Sequence, residues 1–417
     1  MTHHLRTFKI SWLKTKFTER VAPFVPILHK DIVNQLLKAA EPQNPGMLDN
    51  ESEALCFAIY LIALTSTNGN ECMEIFANRQ RDDLMQRYRA ATEDAIMRAV
   101  AGKKVCWVVI QAAIFLAYAG WSQFGSRYVG DLLEWILGLA KLIGLENKSE
   151  LGMTIFQGEM YRRLWMELSL MDTRVSEDLG RAFQIRSVTV EIPLNVNDDQ
   201  LRHGMEKLPD EQRGFTNMAF GTIRFAIAST MRYLRTGDNG QFELATTPEY
   251  YLDYAIRLDY ISRFIEEKYI LHCDLTVPIQ WFTCAVARVI LGRLWIMVNS
   301  LLVQEGFFPP AEALKMHKRL FRKAVEINRV GLQIGRVSGT VPFTWKNLTH
   351  LPLRNLLFLA KYVTTQKVKE KVWRDVKEGY YRTFDVDPYR NEPLWDEIDH
   401  LMILAAAARD ETLARQR

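Results

Sequence analysis

The chain has 417 residues, of which 48% are apolar and 24% charged, and a net charge of +4. This is the composition of an ordinary globular protein with apolar material for one large core or two smaller ones. Acids and bases are interleaved, so no block of like charge forms a nucleic-acid-binding tail.

The first residues, MTHHLRTFKISWLKTKF, lack the apolar stretch of a signal peptide, and His3 and His4 are expected to be solvated. Asp49 or Asn50 caps a helix over Ser52 to Thr65, which ends at Asn68-Gly69. A polar amphipathic helix runs from about Arg79 to Ala101 and stops at Gly102. Val105 to Ala119 is the longest apolar run, shorter than the roughly 18 residues a membrane span needs. With Gln111 in its middle and Gly120 closing it, the run is expected to be a buried core helix. Ser126 to Ile143 puts Leu132, Leu133, Ile136, Leu139 and Ala140 on one helical face, and Gly144 ends it.

In the next helix, Phe156, Met160, Leu164, Leu168, Met171 and Val175 recur at helical spacing and make a continuous apolar face. Ser187 to Ile192 is β-branched and expected to be extended, and Pro193 to Leu201 is a turn-rich loop. Further helices follow over Phe215 to Arg235, from Thr247-Pro248-Glu249 to about Ile270, from Pro278 to about Val303, and from Pro309-Pro310 to about Ile334. Gly237 and Gly240 mark one loop, and Gly335 to Thr349 is read as another. The last helices run from about Leu353 to Tyr381, with a break, and from Leu394 onward. The expected fold is therefore all-α, a large helical domain of many packed helices with one short extended segment. Residues 1–201 and 202–417 form two helical regions packed as one domain, with the internal boundary near Arg202 to Gly214.

Chemistry-bearing patterns are few. Cys56, Cys72, Cys106, Cys273 and Cys284 never come closer than eleven positions, which argues against a zinc site built from close cysteine pairs and suits a reducing compartment. There is no glycine-rich phosphate loop, HExxH or GxSxG. His272-Cys273-Asp274 lacks an identifiable third group for nucleophilic catalysis. The lysines between Lys361 and Arg382 alternate with Glu370, Asp375 and Glu378, as on a solvated helical face.

The stretch Phe156 to Gly180 is densely charged. It carries Glu159, Arg162, Arg163, Glu167, Asp172, Arg174, Glu177 and Asp178. Three arginines face five acids, so attraction to DNA phosphate is not expected. Carboxylates beside arginines are held ionised rather than poised for proton transfer. The spacings Glu159–Arg163, Arg163–Glu167 and Arg174–Asp178 suit exposed helical ion pairs, each contributing about 0.3–0.5 kcal/mol. The expected role is structural wiring against the loop that holds Asn195, Asn197 and Asp198, with no catalytic residue. A second cluster, Trp107, Tyr118, Trp121, Phe124, Tyr128 and Trp135, lies around a helix–loop–helix; it suits ordinary core packing or, alternatively, an aromatic ligand pocket.

The order of these elements resembles the regulatory domain of fungal-specific transcription factors, the middle homology region of zinc-binuclear-cluster regulators. The resemblance begins at VAPFVPILH (Val21 to His29) and continues through ALCFAIYLIA (Ala54 to Ala63), the helix around Arg87-Tyr88, VIQAAIFL (Val109 to Leu116), and Ala140 to Leu145. Its densest part is the E-x-x-R-R-L-W stretch, Glu159, Arg162, Arg163, Leu164 and Trp165, followed by Asp172, Arg174, Glu177 and Gly180. The loop Pro193, Asn195, Asn197, Asp198 and Leu201 completes it, so residues 19 to 201 are covered.

Such regulators carry a six-cysteine zinc cluster before this region, and none precedes it here; direct DNA binding by this chain is accordingly not expected. The resemblance implies a transcription regulator of a metabolic gene cluster acting through a small-molecule effector or a protein partner. Nucleus is the implied compartment and cytoplasm the alternative; no metal, cofactor or membrane is expected. The alternatives by class are a cofactor-free cyclase or isomerase on the same helical scaffold and a non-catalytic binding protein.

Overall fold

The computed structural model describes residues 5–43, 48–76, 79–102, 105–145, 152–185, 190–236, 248–347, 353–384 and 394–414. The regular elements among them are all helices, so the fold is all-α. The chain divides into two compact units. The first comprises Met1–Glu177, Phe183–Phe225 and Pro342–Lys346; the second comprises Asp178–Ala182, Ala226–Val341 and Asn347–Arg417.

The first unit opens with α1 (Thr7–Arg20), α2 (Lys30–Ala39), α3 (Asn50–Thr65), α4 (Gly69–Ile75), α5 (Arg81–Ala101), α6 (Trp107–Leu142) and α7 (Ile155–Leu179). α3 is apolar on every side, and a helix of that kind is stable only when surrounded. It is packed against α1, α2, α5 and α6, and every residue from Ala54 to Thr65 is buried. Its start is fixed by Asp49, whose carboxylate accepts from the Ser52 N–H at 2.9 Å.

In α6 the apolar run is indeed core, and Gln111 is tolerated there because its Nε2 donates to the Ile27 carbonyl at 2.9 Å. Gly120, however, does not end the helix. The break falls at Gly125, whose backbone leaves the helical region at φ 75°, ψ −172°, where a left-handed φ favours glycine. Gly120 is needed for a different reason: a Cβ there would lie 2.3 Å from Tyr128 Cε1.

α8 (Ala219–Thr236) carries the chain from the first unit's residues into the second's. The second unit contains α9 (Pro248–Lys268), α10 (Pro278–Gln304), α11 (Pro310–Gln333), α13 (Leu353–Thr365), α14 (Glu370–Phe384) and α15 (Trp395–Ala414). Its core joins Leu320, Ala324 and Ile327 of α11 to Leu359 of α13, Val376 of α14 and Ile398 of α15. α10 is long and apolar enough to cross a membrane by length and composition. Here it packs against α9 and α11 and buries Phe282, Val286, Val289, Leu294 and Val298.

One expectation changes. Gly335 to Thr349 is not a plain loop: a 3-10 turn (Val341–Phe343) leads into the short helix α12 (Thr344–Asn347), and Pro342–Lys346 is part of the first unit. The extended segment over 187–192 has its first three residues outside the described ones, as do Gly237, Gly240 and Thr247.

Two of the helical glycines of α6, Gly120 and Gly138, make a matched test. Gly120→Ala, against the Tyr128 ring, is expected to destabilise the protein by about 1–3 kcal/mol. Gly138→Ala, with nothing within 4 Å of the new Cβ, is expected to stabilise it by about 0.4–1 kcal/mol. Urea-unfolding midpoints of the two variants should therefore move in opposite directions.

Candidate functional site

α7 is buried almost completely: from Gly158 to Ser176 every side is covered. The reading of its charges as exposed ion pairs is thus corrected. The apolar stripe accounts for one face only, and the charged faces are packed as well. Glu159, Arg163, Glu167 and Asp172 have no exposure at all. Ions in such a place need partners, because removing one partner of a buried pair costs about 3–5 kcal/mol.

The partners come from near and far in the chain. Glu159 meets Arg162 at 3.0 Å and Arg163 at 3.5 Å, and accepts from the Leu194 N–H at 3.1 Å. Burial pushes the Glu159 carboxyl up, opposed by Arg163 and Arg162. Arg163 reaches Asp198 at 2.8 Å. Asp198 also accepts from the Lys30 N–H at 3.0 Å, and its own carbonyl lies 2.9 Å from His29 Nε2. One loop residue therefore joins α7 to the start of α2. Lower on α7, Asp172 accepts from the N–H groups of Gln184 and Ile185, both at 3.0 Å, after Gly180 at φ 65° has ended the helix. Arg174 pairs with Glu177 at 3.4 Å, and the Trp165 ring is buried.

The loop is fixed on its other side by amide side chains. Asn195 is wholly buried; its Nδ2 donates to the carbonyls of Gln212 and Gly214, and its Oδ1 accepts from Thr216 Oγ1 at 2.6 Å. Asn197 Oδ1 accepts from the Asn217 N–H at 3.0 Å, while Asn217 Oδ1 accepts from the Asp198 N–H at 3.1 Å.

A further buried cluster gathers around Glu167, two turns further along α7. Tyr118 Oη of α6 donates to Glu167 Oε1. Arg224 of α8 approaches the same oxygen at 3.6 Å and Lys346 of α12 at 3.9 Å. The Lys346 ammonium lies 3.4 Å from the Tyr118 ring centroid, a cation–π contact. Burial holds the Lys346 amine well below its ordinary pKa; Arg224 pushes the same way and Glu167 opposes. Burial, then Glu167, pushes the Tyr118 phenol up. Lys346 is brought here by its neighbours: Trp345 Nε1 donates to the Arg20 carbonyl at 3.0 Å, and Phe343 packs on Phe24 at 5.3 Å.

Arg224 and Lys346 were missed in the sequence. The available signal was a lone cation inside an apolar run, Ile223-Arg224-Phe225-Ala226 and Phe343-Thr344-Trp345-Lys346. Such a residue is either exposed or paired in the core, and only the fold says which.

The aromatic set separates into different neighbourhoods. Trp107 faces Tyr161 at 6.0 Å, Tyr118 stacks on Trp121 at 6.0 Å, and Phe124 packs on Tyr128 at 5.0 Å. Tyr118 thus belongs to the Glu167 cluster, whereas Phe124 lies under the Arg89 guanidinium at 4.2 Å. Trp135 is half-buried further along α6. His272-Cys273-Asp274 does not assemble a triad: Asp274 accepts from the N–H and Oγ1 of Thr276, and the Cys273 thiol lies 3.3 Å from the Tyr269 carbonyl.

No protein-family model matches the chain. It is 26% identical over 96% of its length to "Aurofusarin cluster transcription factor aurR2" of Gibberella zeae, covering 60% of that protein. It is 22% identical over 98% of its length to "Transcriptional regulator AacuB" of Aspergillus aculeatus, covering 56% of it. A third relative, "Pyriculol/pyriculariol biosynthesis cluster transcription factor 1" of Pyricularia oryzae, is 23% identical over 82% of the chain and 46% covered. The resemblance is to the regulatory region of fungal transcription factors. This chain spans about three-fifths or less of the length of these relatives.

Two stability measurements probe the Glu167 cluster. Glu167→Gln leaves buried cations without their carboxylate and is expected to cost about 3–5 kcal/mol; adding Lys346→Met should regain part of that loss in urea unfolding. The pH dependence has a definite sign. The folded Lys346 pKa lies below the unfolded value of 10.5, so the unfolded chain binds more protons between the two. Stability from this group is therefore expected to rise with pH across that window, and Lys346→Met should flatten the rise when unfolding is compared from neutral pH to pH about 9.

Proposed function

We propose that this chain is the regulatory region of a fungal-type transcription regulator that sets the expression of a biosynthetic gene cluster. The observation that carries the reading is its similarity, over 96% and 82% of its length, to two proteins named as transcription factors of biosynthetic clusters. Regulation would act in the nucleus and through a small-molecule effector or protein partner that shifts the balance of the helical region's states.

In this reading the residues Glu159, Arg162, Arg163, Trp165, Asp172, Arg174, Glu177, Asn195, Asn197 and Asp198 are structural. They hold α7 and its loop in one arrangement and meet neither effector nor DNA. The burial of Glu159, Arg162, Arg163, Trp165, Asp172, Arg174 and Asn195, and the pairing of the partly buried Glu177, Asn197 and Asp198 with protein groups, support this, since a side chain already surrounded by protein has little surface for a ligand. The aromatic residues Trp107, Trp121, Phe124, Tyr128 and Trp135, with Tyr118, are assigned to core and core-edge packing, supported by their contacts in separate neighbourhoods.

Deleting the gene tests the reading when neighbouring transcripts and the metabolite profile are recorded together. Transcripts of adjoining biosynthetic genes are expected to fall together with their product. Unchanged transcripts with an unconverted precursor accumulating would instead mean that the scaffold performs chemistry.

A further inference from the structure

α11 is the most basic helix of the second unit. It carries Lys315, Lys318, Arg319, Arg322, Lys323 and Arg329 against two acids, Glu312 and Glu326. Arg329 is neutralised by Asp375 at 2.7 Å and Lys323 by Glu326 at 3.1 Å. Lys315, Lys318, Arg319 and Arg322 are exposed, and among the described residues none has a carboxylate within ion-pair distance. Their spacings of three and four put like charges side by side on the helix, an arrangement that destabilises it slightly and gains nothing within the chain.

Two of these cations, Arg319 and Arg322, border a groove. A cavity of about 410 Å³, open to solvent, is lined by Trp295 of α10 and by Arg319, Arg322, Lys323 and Glu326 of α11. Trp295 is only half-buried, so its indole offers an apolar surface among the guanidinium groups. Leu314, 59% exposed, lies two turns before Arg322 on the same side of the helix as Lys318.

We propose that this groove docks an acidic peptide segment of a partner protein, one that also carries an aromatic or large aliphatic side chain. Arginine forks match carboxylates in pairs, and clustered arginines are a recurrent device for capturing acidic motifs. The indole supplies the contact for the apolar residue. A DNA duplex fits less well. Its phosphates form a rigid array suited to a continuous basic face, whereas this groove has the Glu326 carboxylate in its wall. The inference stands on this surface chemistry alone, so its failure would leave the regulator reading untouched.

Fluorescence anisotropy on the full chain tests it. The probes are a short fluorescein-labelled peptide of Asp and Glu with Phe and Leu, the same peptide with Lys in place of the acids, and a mixed-sequence DNA duplex. The acidic peptide is expected to bind, to weaken with added salt, and to lose at least about tenfold in affinity in Arg319→Glu/Arg322→Glu. The lysine peptide is expected to bind that variant and not the parent, which also shows that the variant is folded. The proposal is overturned if the acidic peptide binds parent and variant equally or neither. It is equally overturned if the duplex binds the parent with the same loss on charge reversal while the peptide does not, which would make the face a nucleic-acid surface.

Discussion

Placing Glu159, Arg163, Glu167 and Asp172 on a helix that is covered on all sides would cost several kcal/mol per ion if each lacked a partner. The rest of the first unit is arranged around that requirement. Asp198 comes from a loop 35 positions beyond Arg163, and the N–H groups that serve Asp172 come from the chain just after α7 turns at Gly180. Arg224 and Lys346 come from α8 and α12 to the single carboxylate of Glu167. Each partner brings a segment with it, so the polar contacts fix where otherwise featureless loops must lie.

This wiring does something that apolar packing alone does poorly. A core of Leu, Ile and Phe tolerates sliding and repacking, whereas an ion that loses its partner inside the core is heavily penalised. The Asp198 contacts illustrate the result: α7, the loop 193–201 and the start of α2 are locked at one point. The loop in turn is bound to residues 211–217 through Asn195 and Asn197. A region held this way has one defined arrangement rather than a continuum of packings.

The surfaces contrast with this interior. Within the first unit the charges of α7 are matched inside the protein. On α11 four cations face solvent, and two of them, Arg319 and Arg322, share a cavity wall with an indole. A charge that is paired within the fold serves the fold, while an unpaired exposed cluster on an otherwise ordinary surface is available to another molecule.

Much of this was legible in the sequence. Helical periodicity, proline at helix starts and the Asp49 cap are local signals, so the helices and the all-α class followed from short-range rules. The spacing of Glu159 and Arg163 likewise announced a pair. Other features depended on contacts that no local rule reaches. Gly120 looked like a stop because glycine commonly ends helices, yet it marks the approach of the Tyr128 ring, and the true break lies at Gly125. By its periodicity α7 reads as amphipathic, with its polar residues facing water, and only the surrounding elements show that they do not. Lys346 sits 179 positions from Glu167, and nothing in Phe343-Thr344-Trp345-Lys346 says which core will receive it. The sequence by itself determined most of the elements, the Glu159–Arg163 pair and one side of the other ion pairs of α7. The tertiary structure decided burial and the distant partners, because desolvation depends on everything packed around a charge and not on its neighbours along the chain.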